Sequence, residues 1–147
     1  HAGEVTGPEQ IWTAIETLHA DRIGHGTSSI SDPALQHRLE ESNIILEQCI
    51  TSNYQTGSWA DEKNHPIARL YHAGVPVTIN SDDPTIQSTD LSDDYKKASE
   101  FFGFTSEDFR NLNITALEGS FISEEQKADL RREYEAALQD WESQFLS

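Results

Sequence analysis

The chain has 147 residues, of which 35% are hydrophobic and 24% charged, a composition that can bury a core of single-domain size. Its net charge of −16 repels phosphate backbones, and no basic patch with interleaved aromatics offsets that charge, so nucleic acid is not an expected partner. No apolar run approaches the roughly 20 residues of a membrane-spanning helix, and the lone Cys49 cannot close an internal disulfide, so the expectation is no membrane partner and a reducing, cytoplasmic setting.

The chain opens on His1-Ala-Gly-Glu4 and contains no Met. The opening reads as the end of a strand whose body lies upstream, so further sequence is expected before residue 1. Gly7 and Pro8 suit a helix start, and Ile11, Ile15 and Leu18 recur at helical spacing towards a stop near Ala20. A short strand is expected over Arg22–Gly26. Asp32 and Pro33 then cap and open a helix carrying Leu35 and Leu39, which Asn43 ends in the left-handed region. Ile44–Cys49 reads as the next strand, running on into Ile50-Thr-Ser-Asn53, with a loop from Tyr54 to Asn64. A helix from His65-Pro66 to Gly74 leads to the β-branched run that begins at Val75, which stops at Asp82-Asp83-Pro84. Beyond Pro84 only helices are expected: Ser92–Phe102 closed by Gly103, one capped at Thr105-Ser-Glu-Asp108, and a long one after the capping box Ser123-Glu-Glu-Gln126. Strands alternating with helices predict an α/β chain with a parallel sheet, and the absence of a linker predicts one domain over residues 1–147.

Three strand ends therefore deliver His1 and Glu4, His25, and the pair Asp82 and Asp83. Imidazole nitrogen and carboxylate oxygen both suit zinc, and a catalytic zinc keeps one position for water and lowers that water's pKa to about 7. On this reading His1 and Asp82 are ligands, His25 is a base and Glu4 a proton donor, although two protein ligands fall short of the usual three. Each residue also has an ordinary reading: Asp-Asp-Pro as a turn or helix cap, a His between glycines as loop, and Glu4 as a helix-start acid. His19, His37 and His72 are expected on the surface, His65 at a helix entry, and Cys49 in a buried strand. Asn113-Ile-Thr115 matches a glycosylation sequon by chance, within a helix.

His-Ala-Gly-Glu at 1–4, Arg-Ile-Gly-His-Gly at 22–26, Cys-Ile-Thr-Ser-Asn at 49–53, His-Pro-Ile at 65–67 and Asn-Ser-Asp-Asp-Pro at 80–84 together resemble the adenosine deaminase family. The order and spacing agree over essentially the whole chain, and the segments Leu91–Phe104 and Ala116–Phe121 are similar to helices that close that family's C-terminal end. The resemblance implies the C-terminal half of a (β/α)8 TIM barrel with additional C-terminal helices, and a site at the C-terminal ends of the strands. It implies His1 and Asp82 as zinc ligands, with Asp82 also a hydrogen-bond partner of the attacking water. Glu4 would protonate purine N1, His25 would orient or deprotonate the water, and Asp83 would bind the purine N7 edge. The first-strand His-x-His pair that supplies that family's other zinc ligands has no counterpart here.

The expected activity is zinc-dependent hydrolytic deamination of adenosine, and of deoxyadenosine, to inosine and ammonia by a complete barrel, with the isolated chain inactive. The partner is then a small purine nucleoside, together with an N-terminal half as a separate segment or a second copy by self-association. Two alternatives stay open: an adenine or other aminopurine deaminase, and a non-catalytic half-barrel acting as a structural module.

Overall fold

The computed structural model describes residues 1–145. Ala2 forms a single parallel bridge with His25, and the chain then runs α1 (Glu9–Glu16), β1 (Arg22–Gly24), a 3-10 turn (Thr27–Ser31), α2 (Pro33–Glu41) and β2 (Ile45–Gln48). Next come α3 (Ile50–Gln55), a second 3-10 turn (Glu62–Asn64), α4 (Ile67–His72) and β3 (Val77–Ile79). Four helices complete the chain: α5 (Pro84–Gln87), α6 (Leu91–Phe102), α7 (Ser106–Glu118) and α8 (Glu124–Phe145). Among the described residues no helix is long and apolar enough to cross a membrane.

The three strands pair in parallel in the order β1-β2-β3, with Ile23 opposite Leu46 and Leu46 opposite Val77. Period-2 alternation splits their side chains between two faces. Ile23, Leu46 and Val77 enter a core with Ile11 and Ile15 of α1, Leu35 and Leu39 of α2, and Ile67 and Leu70 of α4. Arg22, Gly24 and Glu47 face the other way, into a concavity. Helices crossing over one face of a parallel sheet leave the strand ends and their following turns on a common rim. The first residues belong to the same sheet: Ala2 donates to Gly24 O at 3.2 Å and accepts from Gly26 N–H at 3.0 Å.

Capping chemistry sets the helix boundaries. Asp32 accepts from Leu35 N–H with Pro33 at the first helical position, and both Asp90 and Thr105 form reciprocal capping boxes. Ser123 and Gln126 exchange bonds at the start of α8. Asn43 and Gly103 stand at φ 52° and 72°, ending α2 and α6.

Two expectations are corrected. The first helix stops at Glu16, short of Ala20: the carbonyls of Thr13 and Ala14 accept from Leu18 and Ala20, turning the chain through His19 at φ 54° and leaving Leu18 exposed. The strand ending at Gln48 does not run into residues 50–53, which coil into α3. Thr51 N–H, an otherwise orphaned donor in the first turn, is taken at 2.9 Å by Asp94 of α6, which also accepts the Thr51 hydroxyl at 2.7 Å. The short α5 after Asp83 is an addition to the expected elements. His19, His37 and His72 are all exposed as expected, His72 beside the Tyr71 and Phe104 rings.

Candidate active site

Four of the predicted side chains meet at the C-terminal rim of the sheet. His25 follows β1 at φ 64° with its ring 1% exposed, and its Nε2 lies 2.9 Å from His1 Nδ1, 3.4 Å from Glu4 Oε2 and 3.9 Å from Asp82 Oδ2. Glu4 Oε2 is also 3.5 Å from His1 Nδ1. The turn that folds Glu4 back onto His1 needs Gly3: it sits at φ 65°, and a Cβ there would come within 2.4 Å of Ile11 Cδ1. Asp82 adopts φ 59°, and its Oδ2 accepts the Ser52 hydroxyl at 2.7 Å. His1, His25 and Asp82 border a concavity of about 560 Å³ whose wall includes Arg22, Glu47 and Asn80. Arg22 pairs with Glu47 at 3.1 Å and stacks on Phe121, 4.2 Å from the ring centroid, with its Nη1 on Gly119 O at 3.0 Å.

Asp83 is not drawn into this cluster. It is exposed at the start of α5, accepts no capping hydrogen bond, and its carboxylate does not border the concavity. Cys49 is buried, and desolvation, reinforced by the carboxylates of Asp82, Asp94, Glu47 and Glu4, pushes its thiol up. That favours the protonated thiol over the thiolate.

The donor set suits a divalent metal. His1, His25 and Asp82 each bring a ligand atom within 4.8 Å of the others, and imidazole with carboxylate is chemistry that fits zinc. Geometry thus places His25 beside the two donors expected from the sequence.

Behind the cluster lies a layer that single residues in the sequence did not announce. Asn53 Nδ2 is 3.1 Å from His25 Nδ1, and Asn53 Oδ1 is 3.0 Å from His65 Nε2. Ile67 N–H reaches His65 Nδ1 at 3.3 Å. His65 is therefore a buried member of the site's support as well as the residue before α4. The signals for it in the sequence were the polar string Thr51-Ser-Asn53 beside a strand end and the His-Pro-Ile string at 65–67.

A parallel α/β sheet with histidine and carboxylate side chains gathered at its strand ends has the architecture of a segment of a (β/α)8 barrel. The chain belongs to the adenosine deaminase family, whose model, described as Adenosine deaminase, matches residues 1–137. It is 43% identical over 130 residues to the adenosine deaminase of Klebsiella pneumoniae (strain 342), a match covering 88% of this chain and 39% of that protein. Among solved structures it resembles the adenine deaminase of Arthrobacter aurescens, with TM-score 0.89 and 27% identity over 95% of this chain and 42% of that one. It also resembles an amidohydrolase from Burkholderia ambifaria with bound Zn, with TM-score 0.86 and 26% identity over 95% and 39% of the two chains. The fold is a partial (β/α)8 barrel with added C-terminal helices, and the chain spans about two fifths of the length of the curated relatives it matches.

Proposed function

We propose that residues 1–147 form one domain, the C-terminal half of a zinc-dependent barrel that hydrolyses adenosine and deoxyadenosine to the inosine product and ammonia. The observation that carries this reading is the convergence of His1, Glu4, His25 and Asp82 at one strand-end rim, in a chain of the adenosine deaminase family. His1 and Asp82 would hold the metal. Bound there, zinc acidifies a water so that a nucleophile is present at neutral pH.

The chain's own residues supply the rest. Glu4, its side chain 16% exposed beside His1 and His25, is placed to deliver a proton to a purine ring nitrogen, which makes the adjacent carbon electrophilic. Asp82, held by Ser52, orients the attacking water, and His25 faces the same space from below. Asp83, exposed at the head of α5, is the candidate for the purine N7 edge once substrate covers it. Two metal donors from this chain fall short of the usual three, so the isolated chain is expected to be inactive and to need an N-terminal half, joined or associated. A cytoplasmic protein acting on a small nucleoside, without nucleic-acid or membrane partners, fits the charge of −16 and the single buried thiol.

The resemblance to the Arthrobacter aurescens structure favours one further reading, adenine as substrate. Turnover of adenosine and of adenine by the full-length protein separates the two. Adenosine turnover lost in Glu4→Gln and in Asp82→Asn supports the proposal, and preference for adenine replaces the substrate while keeping the class. Neither turnover nor bound zinc would leave a structural half-barrel.

A further inference from the structure

His25, Asn53 and His65 form a line of buried side chains behind the candidate site, and one backbone group fixes the direction of every hydrogen bond along it. The N–H of Ile67 can only donate, and it meets Nδ1 of His65. That nitrogen must present a lone pair. Burial, with the neighbouring His25 and the Arg69 guanidinium adding to it, pushes the His65 pKa down to about 3, so the ring is neutral and its one proton sits on Nε2. Nε2–H therefore donates to Asn53 Oδ1 at 3.0 Å. The amide's NH2 then points the other way, donating to His25 Nδ1 at 3.1 Å and to Ser58 Oγ at 2.9 Å. His25 Nδ1 accepts, which leaves the proton of the neutral ring on Nε2, the nitrogen facing His1, Glu4 and Asp82.

The reverse arrangement fails at its far end. Turning the Asn53 amide over would aim its NH2 at His65 Nε2 and require His65 to carry its proton on Nδ1, against the Ile67 N–H. Two donors would then face each other in a buried place, where an unmet polar group is costly. All three side chains are fixed in space as well: His25, Asn53 and His65 are 1%, 0% and 2% exposed.

We infer that His65 is a positioning residue: through Asn53 it holds His25 with its proton on Nε2, so that His25 meets the attacking water as a hydrogen-bond donor, with no lone pair there to act as base or metal ligand. The meaning of what Nε2 faces rests on the proposed deaminase reading, whereas the direction of the hydrogen bonds does not. Among the two roles expected for His25, orientation is retained and deprotonation is not. The three-donor metal cluster likewise reduces to His1 and Asp82.

The test is ring-nitrogen NMR of the full-length protein labelled with 15N-histidine, with His25 and His65 assigned from His25→Gln and His65→Gln, read beside kcat and KM for adenosine. Both rings are expected to show an unprotonated Nδ1 and a protonated Nε2. His65→Phe removes the donor to Asn53 and frees the amide to turn; the His25 signals should become a mixture of tautomers and kcat should fall about 10- to 100-fold with KM little changed. His65→Gln, whose carboxamide can still donate to Asn53 and accept from Ile67, should restore the single tautomer and most of kcat. A wild-type His25 protonated on Nδ1 overturns the inference, as does a His65→Phe protein with unaltered tautomer and kcat. Should His65→Phe not fold, the wild-type ring pattern still decides. The predicted tautomers without any deaminase activity would remove the functional proposal alone, and full activity with Nδ1–H on His25 would remove the relay alone.

Discussion

Ser52 donates its hydroxyl to Asp82 Oδ2 at 2.7 Å, across 30 residues of sequence. Asp82 sits at φ 59°, where a non-glycine backbone needs outside support, and this bond fixes which way its carboxylate faces. A ligating carboxylate held by a second residue loses affinity when that residue is removed, typically 10- to 100-fold. Ser52→Ala is thus expected to weaken zinc binding by about that factor, measured by competition with a chelator of known affinity. Unchanged affinity would mean that Asp82 is not a ligand.

Glu4 is expected to act on substrate, not on the metal. In Glu4→Gln the side chain keeps its size and loses the transferable proton, so kcat should fall by about 100-fold or more while zinc content stays at the wild-type level. Steady-state assays paired with metal analysis check both halves of the statement.

The fully buried Asp94 anchors the helix that follows β2. Its Oδ1 accepts two hydrogen bonds from Thr51, and its burial raises the carboxyl pKa despite those bonds. Asp94→Ala leaves the buried Thr51 N–H and hydroxyl without their acceptor, while Lys97 keeps the Thr51 oxygen and Glu62. A loss of about 1–3 kcal/mol in unfolding free energy is expected, read as a lower denaturant midpoint.

His65 imposes a pH dependence on stability whose sign is fixed. Its folded pKa of about 3 lies below the ordinary imidazole value of 6.5, so between these values the unfolded state binds the extra proton. The contribution is fully present above pH 6.5 and is lost as pH falls towards 3, at up to about 1.4 kcal/mol per unit within the window. Denaturant unfolding at a series of pH values should show a shallower slope over that window in His65→Gln than in wild type. Parallel slopes would mean that His65 is charged in the fold.

Local chemistry made much of this architecture legible. Asp32-Pro33, Thr105 with Asp108, Ser123 with Gln126, and Asn43 all cap where their side chains or left-handed preference dictate, and the β-branched runs mark the strands. The candidate site residues His1, Glu4, His25 and Asp82 could be named because each closes a strand or opens the chain in an unusual string. What stayed hidden depends on distant partners. Ile50–Gln55 has β-branched and polar residues that do not favour a helix, and it coils because Asp94, over 40 positions later, takes its first-turn N–H. The His-Pro-Ile string marks His65 without showing its role, which comes from Asn53 and Ile67 N–H meeting it from opposite sides. Asp83 shows the converse: its motif promised a place in the site, yet its carboxylate stands exposed at the head of α5.

The most direct measurement is ammonia released from adenosine by the full-length protein after its metal has been stripped, before and after zinc is added back. The account predicts no release from the stripped protein and recovery with one equivalent of zinc, with no recovery in Asp82→Asn. Full release without metal, or none from a protein loaded with zinc, would contradict it.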